Sequence, residues 1–391
     1  MTRRSPLPAA IWALGFTSLF MDISSEMIHA LLPLYITGAL GAGVFAVGLI
    51  EGVAEATALI VKLFSGVISD ITGKRKMLAL MGYGLAALTK PLFPLAHSLE
   101  LVITARFIDR IGKGIRGAPR DALVADLAPP ERRGEAFGLR QSLDTIGAFI
   151  GPLIAIAVLA YWSDSIRTVF WIAIIPAFLS VATLFFFVPE RDQPRDGKRP
   201  FPISRIALHE LPHSFWLVLA FGALLSIARV SDAFLILRVV SFDVPLTYAP
   251  LVLVGMNIIY ALAAWPAGRL ADRLPHRDLL GLGLLALMVG ALCLAFASSL
   301  MLASLGLVFW GLSLALTQGL LSALIAETAP GHLRGTGFGL LNLASGVAML
   351  IGNALSGLIW DLRGAETAFL FTAITTALAF GLLLKFKPQT R

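Results

Sequence analysis

Long apolar runs alternate with short polar breaks along almost the whole of this chain. Crossing a bilayer as a helix takes ~20 mainly apolar residues, and runs of that length recur throughout. They fall at roughly 10–38, 43–68, 77–97, 100–124, 137–161 and 168–188, then 213–239, 246–268, 278–298, 300–325, 337–360 and 366–386. Residues 189–212 form the only long polar stretch, with Arg191, Arg195, Lys198, Arg199 and Arg205. The pattern predicts an all-α integral membrane protein of twelve transmembrane helices. It divides into a six-helix bundle over 1–188, a linker over 189–212 and a second six-helix bundle over 213–391.

The two halves resemble each other. Gly66, Asp70, Gly73, Lys74 and Arg75 lie in a tract that recurs 202 residues later with Gly268, Asp272, Pro275, His276 and Arg277. Asp126, Pro129, Arg133, Gly134, Phe137, Gly138 and Leu139 recur 201 residues later as Glu327, Pro330, Arg334, Gly335, Phe338, Gly339 and Leu340. Both tracts occupy polar breaks. A long-period repeat in such a chain means two similar halves with the same orientation, an architecture of carriers.

Composition agrees with the pattern. The chain is 57% hydrophobic and 14% charged, with a mean hydropathy of +0.84, where a soluble globule has ~25% charged residues. Lys and Arg crowd one set of loops: Arg3 and Arg4, Lys74 to Lys76, Arg132 and Arg133, the linker, Arg269, Arg273, Arg277, Arg334, and the C-terminal Lys385, Lys387 and Arg391. The opposite loops offer only Arg167 and Arg363. This asymmetry places both termini in the cytoplasm. An anionic leaflet accounts for the net charge of +7 without any nucleic acid. Asp22 and Glu26 interrupt the first run, which lacks a small-residue cleavage site and reads as a retained span. The lone Cys293 excludes an intramolecular disulfide.

The candidate chemistry lies inside the spans. On the fourth, Arg106, Asp109, Arg110, Lys113, Arg116, Arg120 and Asp121 share an arc of roughly 140° at 100° per residue. Gly112, Gly114 and Gly117 narrow that helix, and Pro119 is expected to bend it. A charge at mid-bilayer costs at least ~2.5 kcal/mol, so the stripe must face protein or water. Asp22, Ser25, Glu26 and His29 share one face of the first span. Glu51, Glu55 and Lys62 lie on the second, Lys90 on the third, and Arg140 with Asp144 on the fifth; Arg229, Asp232 and Arg238 lie on the seventh.

A carboxylate in a low-dielectric cavity binds a proton more readily than one in water and can cycle between states. Asp22, Glu26 and Asp109 are therefore the proton-coupling candidates. Arg106, Lys113, Arg116, Arg229 and Asp232 are the substrate-binding candidates, and a static network of ion pairs is the competing reading of the same residues. Asp22, Glu26 and His29 could instead hold a divalent metal, a weaker pattern without a second His or Cys cluster. Trp12, Tyr35, Phe234, Trp265, Asn257, Gln318, Asn342 and Asn353 are polar or aromatic positions open to either packing or binding.

The chain as a whole resembles the major facilitator superfamily. That family carries G-x-x-x-D-x-x-G-[RK]-[RK] between its second and third helices, matched here by Gly66, Asp70, Gly73, Lys74 and Arg75. The basic residue usual after the aspartate is Ile71 in the first copy and Arg273 in the second, where Pro275 and His276 depart from the pattern. The resemblance implies a gating role for these residues and for Asp126, Arg133, Gly268, Asp272, Arg277, Glu327 and Arg334, with the carboxylates and basic loops latching the two halves. The family's fourth helix has an arginine and glycines, matched by Arg106, Gly112 and Gly114. Gly147, Gly151 and Pro152 resemble the fifth-helix G-x-x-x-G-P of its antiporting exporters, although Ala155 and Ile156 replace the glycines usual after it. Four-residue spacing of small residues also serves plain helix packing.

The expected function is secondary transport by alternating access: proton-coupled export of a small organic molecule across a bacterial inner membrane. The cargo is an anion if the basic stripe touches it, and an amphipathic neutral or cationic compound fits equally well if the stripe serves the carboxylates. Import of an organic anion, and transport of a divalent metal or metal chelate, are the alternatives. No cofactor is expected, and a monomer is favoured. A membrane enzyme lacks support, since no Gly-x-Ser-x-Gly constellation is present, and no phosphate loop exists for a nucleotide-driven pump. A non-transporting ligand sensor would be the different-class alternative.

Overall fold

The computed structural model describes residues 7–190, 210–271, 273–317, 319–330 and 333–385, without the side chains of Trp265 and Ser322. Arg3, Arg4, most of the 189–212 linker, Asp272, Gln318, Lys387 and Arg391 lie outside them. The described residues fold into twelve membrane-length helical stretches with no strand. These are α1 (Ala9–Ala39), α2 (Val44–Thr72), α3 (Arg75–Leu95), α5 (Pro130–Tyr161), α6 (Ile166–Phe187), α7 (His213–Val240), α8 (Leu246–Ala271), α9 (His276–Ala295), α11 (Arg334–Arg363) and α12 (Ala365–Leu383), with α4 (Leu99–Leu127) and α10 (Leu300–Thr317, then Leu320–Thr328) completing the set.

Eleven of the twelve are apolar enough over 18 residues to cross a membrane; α4 is not. Its 29 residues give it ample length, but the charged stripe lowers its hydropathy. Its insertion depends on neighbours that bury the charges.

Several helices outrun their apolar cores. α2 continues through Gly66 and Asp70 to Thr72, and α8 continues through Gly268 to Ala271. The residues read as a loop motif are thus largely helical, and the first connection shrinks to Gly73 and Lys74. Gly73 closes α2 with φ +67°, a conformation other residues resist. α4 passes through Pro119 without interruption.

Four helices change course inside their spans, α3 among them at Lys90–Pro91. α1 interrupts its regular winding at Ala30–Leu31 and ends in a wide turn over Tyr35–Ala39. α7 stops at Ala228 and restarts at Asp232. α10 stops at Thr317 and restarts at Leu320 behind Gly319, whose φ is +77°.

Two compact units emerge from the packing, Met1–Leu32 with Thr57–Pro200 and Pro33–Ala56 with Phe201–Arg391. In the first, α1 packs against α5 and α6, and α3 against α4. Its apolar core gathers Ile11, Leu14, Met21, Tyr83, Ala86 and Leu184. In the second, α9 packs against α10 and α12, and α7 against α11, around Phe215, Val218, Ile325 and Leu341. The first halves of α1 and α2 part company: Val44–Ala56 of α2 belongs with the second unit, where Gly48 and Gly52 lie against Asn353 and Leu350 of α11.

Candidate functional site

In the first unit, small residues determine which charges meet. A Cβ added to Gly112 of α4 would approach Gly82 O of α3 at 2.7 Å, and one added to Gly114 would approach Ala58 O of α2 at 2.9 Å. Close approach on both sides packs the charged stripe among neighbours. Lys90 of α3, only 1% exposed, donates to Asp109 Oδ1 at 3.0 Å and to Ser25 Oγ of α1 at 3.1 Å. Arg110 Nε lies 3.7 Å from the other oxygen of Asp109. Asp109 is therefore flanked by two cations. Arg106 Nη2 meets His29 Nδ1 at 3.0 Å. Arg116, also buried, places its guanidinium 4.9 Å from the centre of the Tyr83 ring. Lys113 is exposed.

A second network lies one to two turns further along α4. Arg120 binds Asp121 at 3.1 Å and donates to Ser18 Oγ at 3.2 Å. Arg140 of α5 pairs with Asp144 and approaches Asp121 at 3.9 Å. The static reading of the charges thus fits Lys90, Asp109, Arg110, Arg120 and Arg140.

Asp22 and Glu26 differ. Both are half-buried, and among the described residues neither side chain makes a hydrogen bond or an ion pair. Their positions are fixed through α5. A Cβ on Gly147 would sit 2.7 Å from Leu19 O and 3.0 Å from Asp22 Cβ; one on Gly151 would sit 2.7 Å from Ile23 O and 3.0 Å from Glu26 Cβ. The two glycines of the fifth-helix motif are the seats of the two carboxylates, a link the sequence could not supply because it depends on how α1 rotates against α5. Asp22 feels the charges of Asp144, Arg116, Arg120 and Glu26. Pro152 is buried inside α5 beside this contact.

The metal alternative needs Asp22, Glu26 and His29 around one ion. Among the described residues no group of three His, Cys, Asp or Glu is placed to hold one, and His29 instead abuts the Arg106 cation.

At the basic-loop end, Arg75 pairs with Asp126 and lies 3.6 Å from Asp70. Arg133 donates to Ala125 O at 3.2 Å, tying the start of α5 to the end of α4. In the second unit, His276 Nδ1 pairs with Glu327 at 2.9 Å. A 201-residue shift carries Arg75 onto His276 and Asp126 onto Glu327, so the repeat reproduces the pair with histidine for arginine. Arg277, which a 202-residue shift matches to Arg75, donates instead to Leu384 O at 3.4 Å. Both pairs join helices of the same unit. Arg334 is exposed at the start of α11.

In the second unit, the interruption of α7 has dedicated partners. Ser231 N donates to Asn353 Oδ1 of α11 at 2.7 Å, and Ser231 Oγ caps the restarting helix by accepting from Ala233 N at 3.3 Å. Arg229 donates to Thr317 Oγ1, at the interruption of α10. Asp232 opens the restarted segment.

The comparisons agree with this architecture. The family profile described as Major Facilitator Superfamily matches residues 14–254 and 230–391. An uncharacterised MFS-type transporter of Methanocaldococcus jannaschii is 31% identical over 384 residues, 96% of this chain and 94% of its own. Among solved structures, the nucleoside transporter NupG is similar with a TM-score of 0.85 at 14% identity, covering 97% of this chain and 100% of that one. The human organic anion transporter MFSD10 is similar with a TM-score of 0.66 at 18% identity, covering 97% and 100%. Twelve helices in two repeated halves, the repeated acid–base pairs and these matches have one conclusion: the chain belongs to the major facilitator superfamily of membrane transporters.

Proposed function

We propose that this transporter works by alternating access of two six-helix bundles, 1–188 and 213–391, and exchanges protons for a small organic molecule that it exports. It sits in a bacterial inner membrane with both termini in the cytoplasm. The observation that carries the reading is the pair Asp22 and Glu26, held on one face of α1 by Gly147 and Gly151 and without ion-pair partners among the described residues. A proton carrier must exchange its proton with water in each state, and Asp109 is instead engaged by the cations Lys90 and Arg110. Asp22 and Glu26 are the carriers in this scheme, and Asp109 is the counter-ion that makes burial of Lys90 tolerable.

Export is supported by the G-x-x-x-G-P tract on α5, and a small-molecule cargo by the nucleoside and organic-anion transporters that share the fold. The acid–base pairs Arg75–Asp126 and His276–Glu327 brace the basic-loop end of each bundle while the bundles rock.

The test uses inverted membrane vesicles, energised to acidify their interior and reporting the pH gradient by dye quenching. A panel of organic anions, lipophilic cations and neutral solutes is added. The expected result is dissipation of the gradient by one chemical class in wild type and none in Asp22→Asn or Glu26→Gln. Dissipation that persists in both variants removes the two carboxylates as carriers. Binding without any proton movement favours the sensor.

A further inference from the structure

In the second unit, Arg229 carries a charge inside a membrane span without compensation. Its side chain is half-buried near the middle of α7, and no acid among the described residues lies close enough to affect it. It donates to Thr317 Oγ1, whose own proton goes to Ser313 O at 2.6 Å, while its Nε is buried without an acceptor. Other intramembrane cations are compensated: Lys90 has Asp109, Arg140 has Asp144, and Arg238 has the carbonyls of Leu294, Ala295 and Ala297, while Arg116 faces the Tyr83 ring and Arg106 meets His29.

The backbone around Arg229 is equally unusual. α7 is interrupted from Arg229 to Ser231 and α10 at Gly319, so the two interruptions meet at the Arg229–Thr317 contact. Asn353 and Ser231 hold the α7 interruption in place with their own hydrogen bonds. Discontinuous helices in carriers expose polar backbone only where it lines a cavity. An unpaired guanidinium there costs stability unless something of opposite charge comes and goes.

We propose that Arg229 is the anchor for an oxyanion, a carboxylate or phosphate, of the transported molecule, so that the cargo is an organic anion. This rests on the transporter reading above and names its substrate class. The guanidinium offers a planar fork of donors matched to such groups, and its unpartnered Nε supplies one arm. Thr317 holds the fork in register in the absence of cargo.

The test is thermal unfolding of the purified full chain in mild detergent with two matched pairs of probes, benzoate against methyl benzoate and uridine monophosphate against uridine. A ligand that binds the folded state raises the melting temperature. The expected result is a saturable rise with at least one charged member and none with its neutral counterpart. In Arg229→Gln the affinity should fall about ten- to a hundredfold, the loss of one charge-assisted hydrogen bond. The ligand-free melting temperature of that variant should equal or exceed wild type, because an uncompensated charge has been removed. Thr317→Val, which keeps the charge, should keep the response to the anion.

No rise with either anion, or an equal rise with the neutral partners, overturns the inference. So does an Arg229→Gln variant that melts lower yet keeps the anion response, since the residue would then be a structural tie. Anion binding that survives while Asp22→Asn and Glu26→Gln still move protons keeps this inference and removes the coupling scheme; neutral cargo with intact coupling does the reverse.

Discussion

The pairing of Lys90 with Asp109 shows what a single residue contributes to this fold. Both side chains are almost wholly withdrawn from solvent, and the ammonium bridges α3, α4 and α1 through Asp109 and Ser25. Removing one partner leaves a buried charge behind, so Lys90→Met should cost about 3–5 kcal/mol. The double variant Lys90→Met with Asp109→Asn should recover much of that loss, as measured by denaturant unfolding in detergent. A double variant no better than the single ones would mean that Arg110 or Ser25, not Lys90, sets the stability of Asp109. Arg238 acts differently: it donates to three carbonyls at the end of α9 at 2.9 to 3.3 Å and stacks on Phe242. Arg238→Met should lower the unfolding temperature without changing anion binding. The charges themselves were legible in the sequence, as was their common face on α4. Their partners were not, because pairing depends on the rotation of α3 and α1 against α4.

Among the elements, the α1–α5 contact is the one on which the coupling proposal depends. Gly151 touches the backbone of α1 so closely that any side chain must push the helices apart. Gly151→Leu should therefore move Glu26 from its seat and abolish proton-linked flux, while Gly138→Leu, which meets nothing within 4 Å, should leave flux unchanged. The comparison uses the vesicle assay together with a check of membrane insertion. The repeated acid–base pair gives a second prediction. His276 is charged only when protonated, whereas Arg75 is always charged. His276→Arg should therefore strengthen the pair with Glu327 and lower cysteine accessibility at the ends of α9 and α10, while Glu327→Gln should raise it in both backgrounds. Twelve spans, the repeat and both ends of the pairs could be read from apolar periodicity and spacing. The interruption of α7 was also signalled, since Ser231 followed by Asp232 is a helix-start pattern inside an apolar run. Hydropathy alone concealed it, because an apolar run reads as one helix whether or not its backbone is continuous.

For the whole molecule, the two proposals together fix the electrical character of transport. A proton moving inward carries one positive charge in, and an exported monovalent anion carries one negative charge out, so a one-for-one exchange moves two charges in the same direction. At 100 mV this is worth about 4.6 kcal/mol, from ~2.3 kcal/mol per charge, enough to sustain an anion gradient of about three orders of magnitude. A proton–anion importer with the same stoichiometry would move no net charge. Membrane potential is thus the cleanest lever on direction. In proteoliposomes without a pH gradient, a potassium diffusion potential should drive an Arg229-dependent anion against its gradient, with flux rising steeply with voltage. Glu26→Gln or Asp22→Asn should reduce the steepness, since the proton's share of the charge is lost and only the anion's remains. Flux indifferent to voltage in wild type would exclude anion–proton exchange at this stoichiometry and point instead to electroneutral symport, in which Arg229 and the carboxylates of α1 load together and travel as a neutral pair.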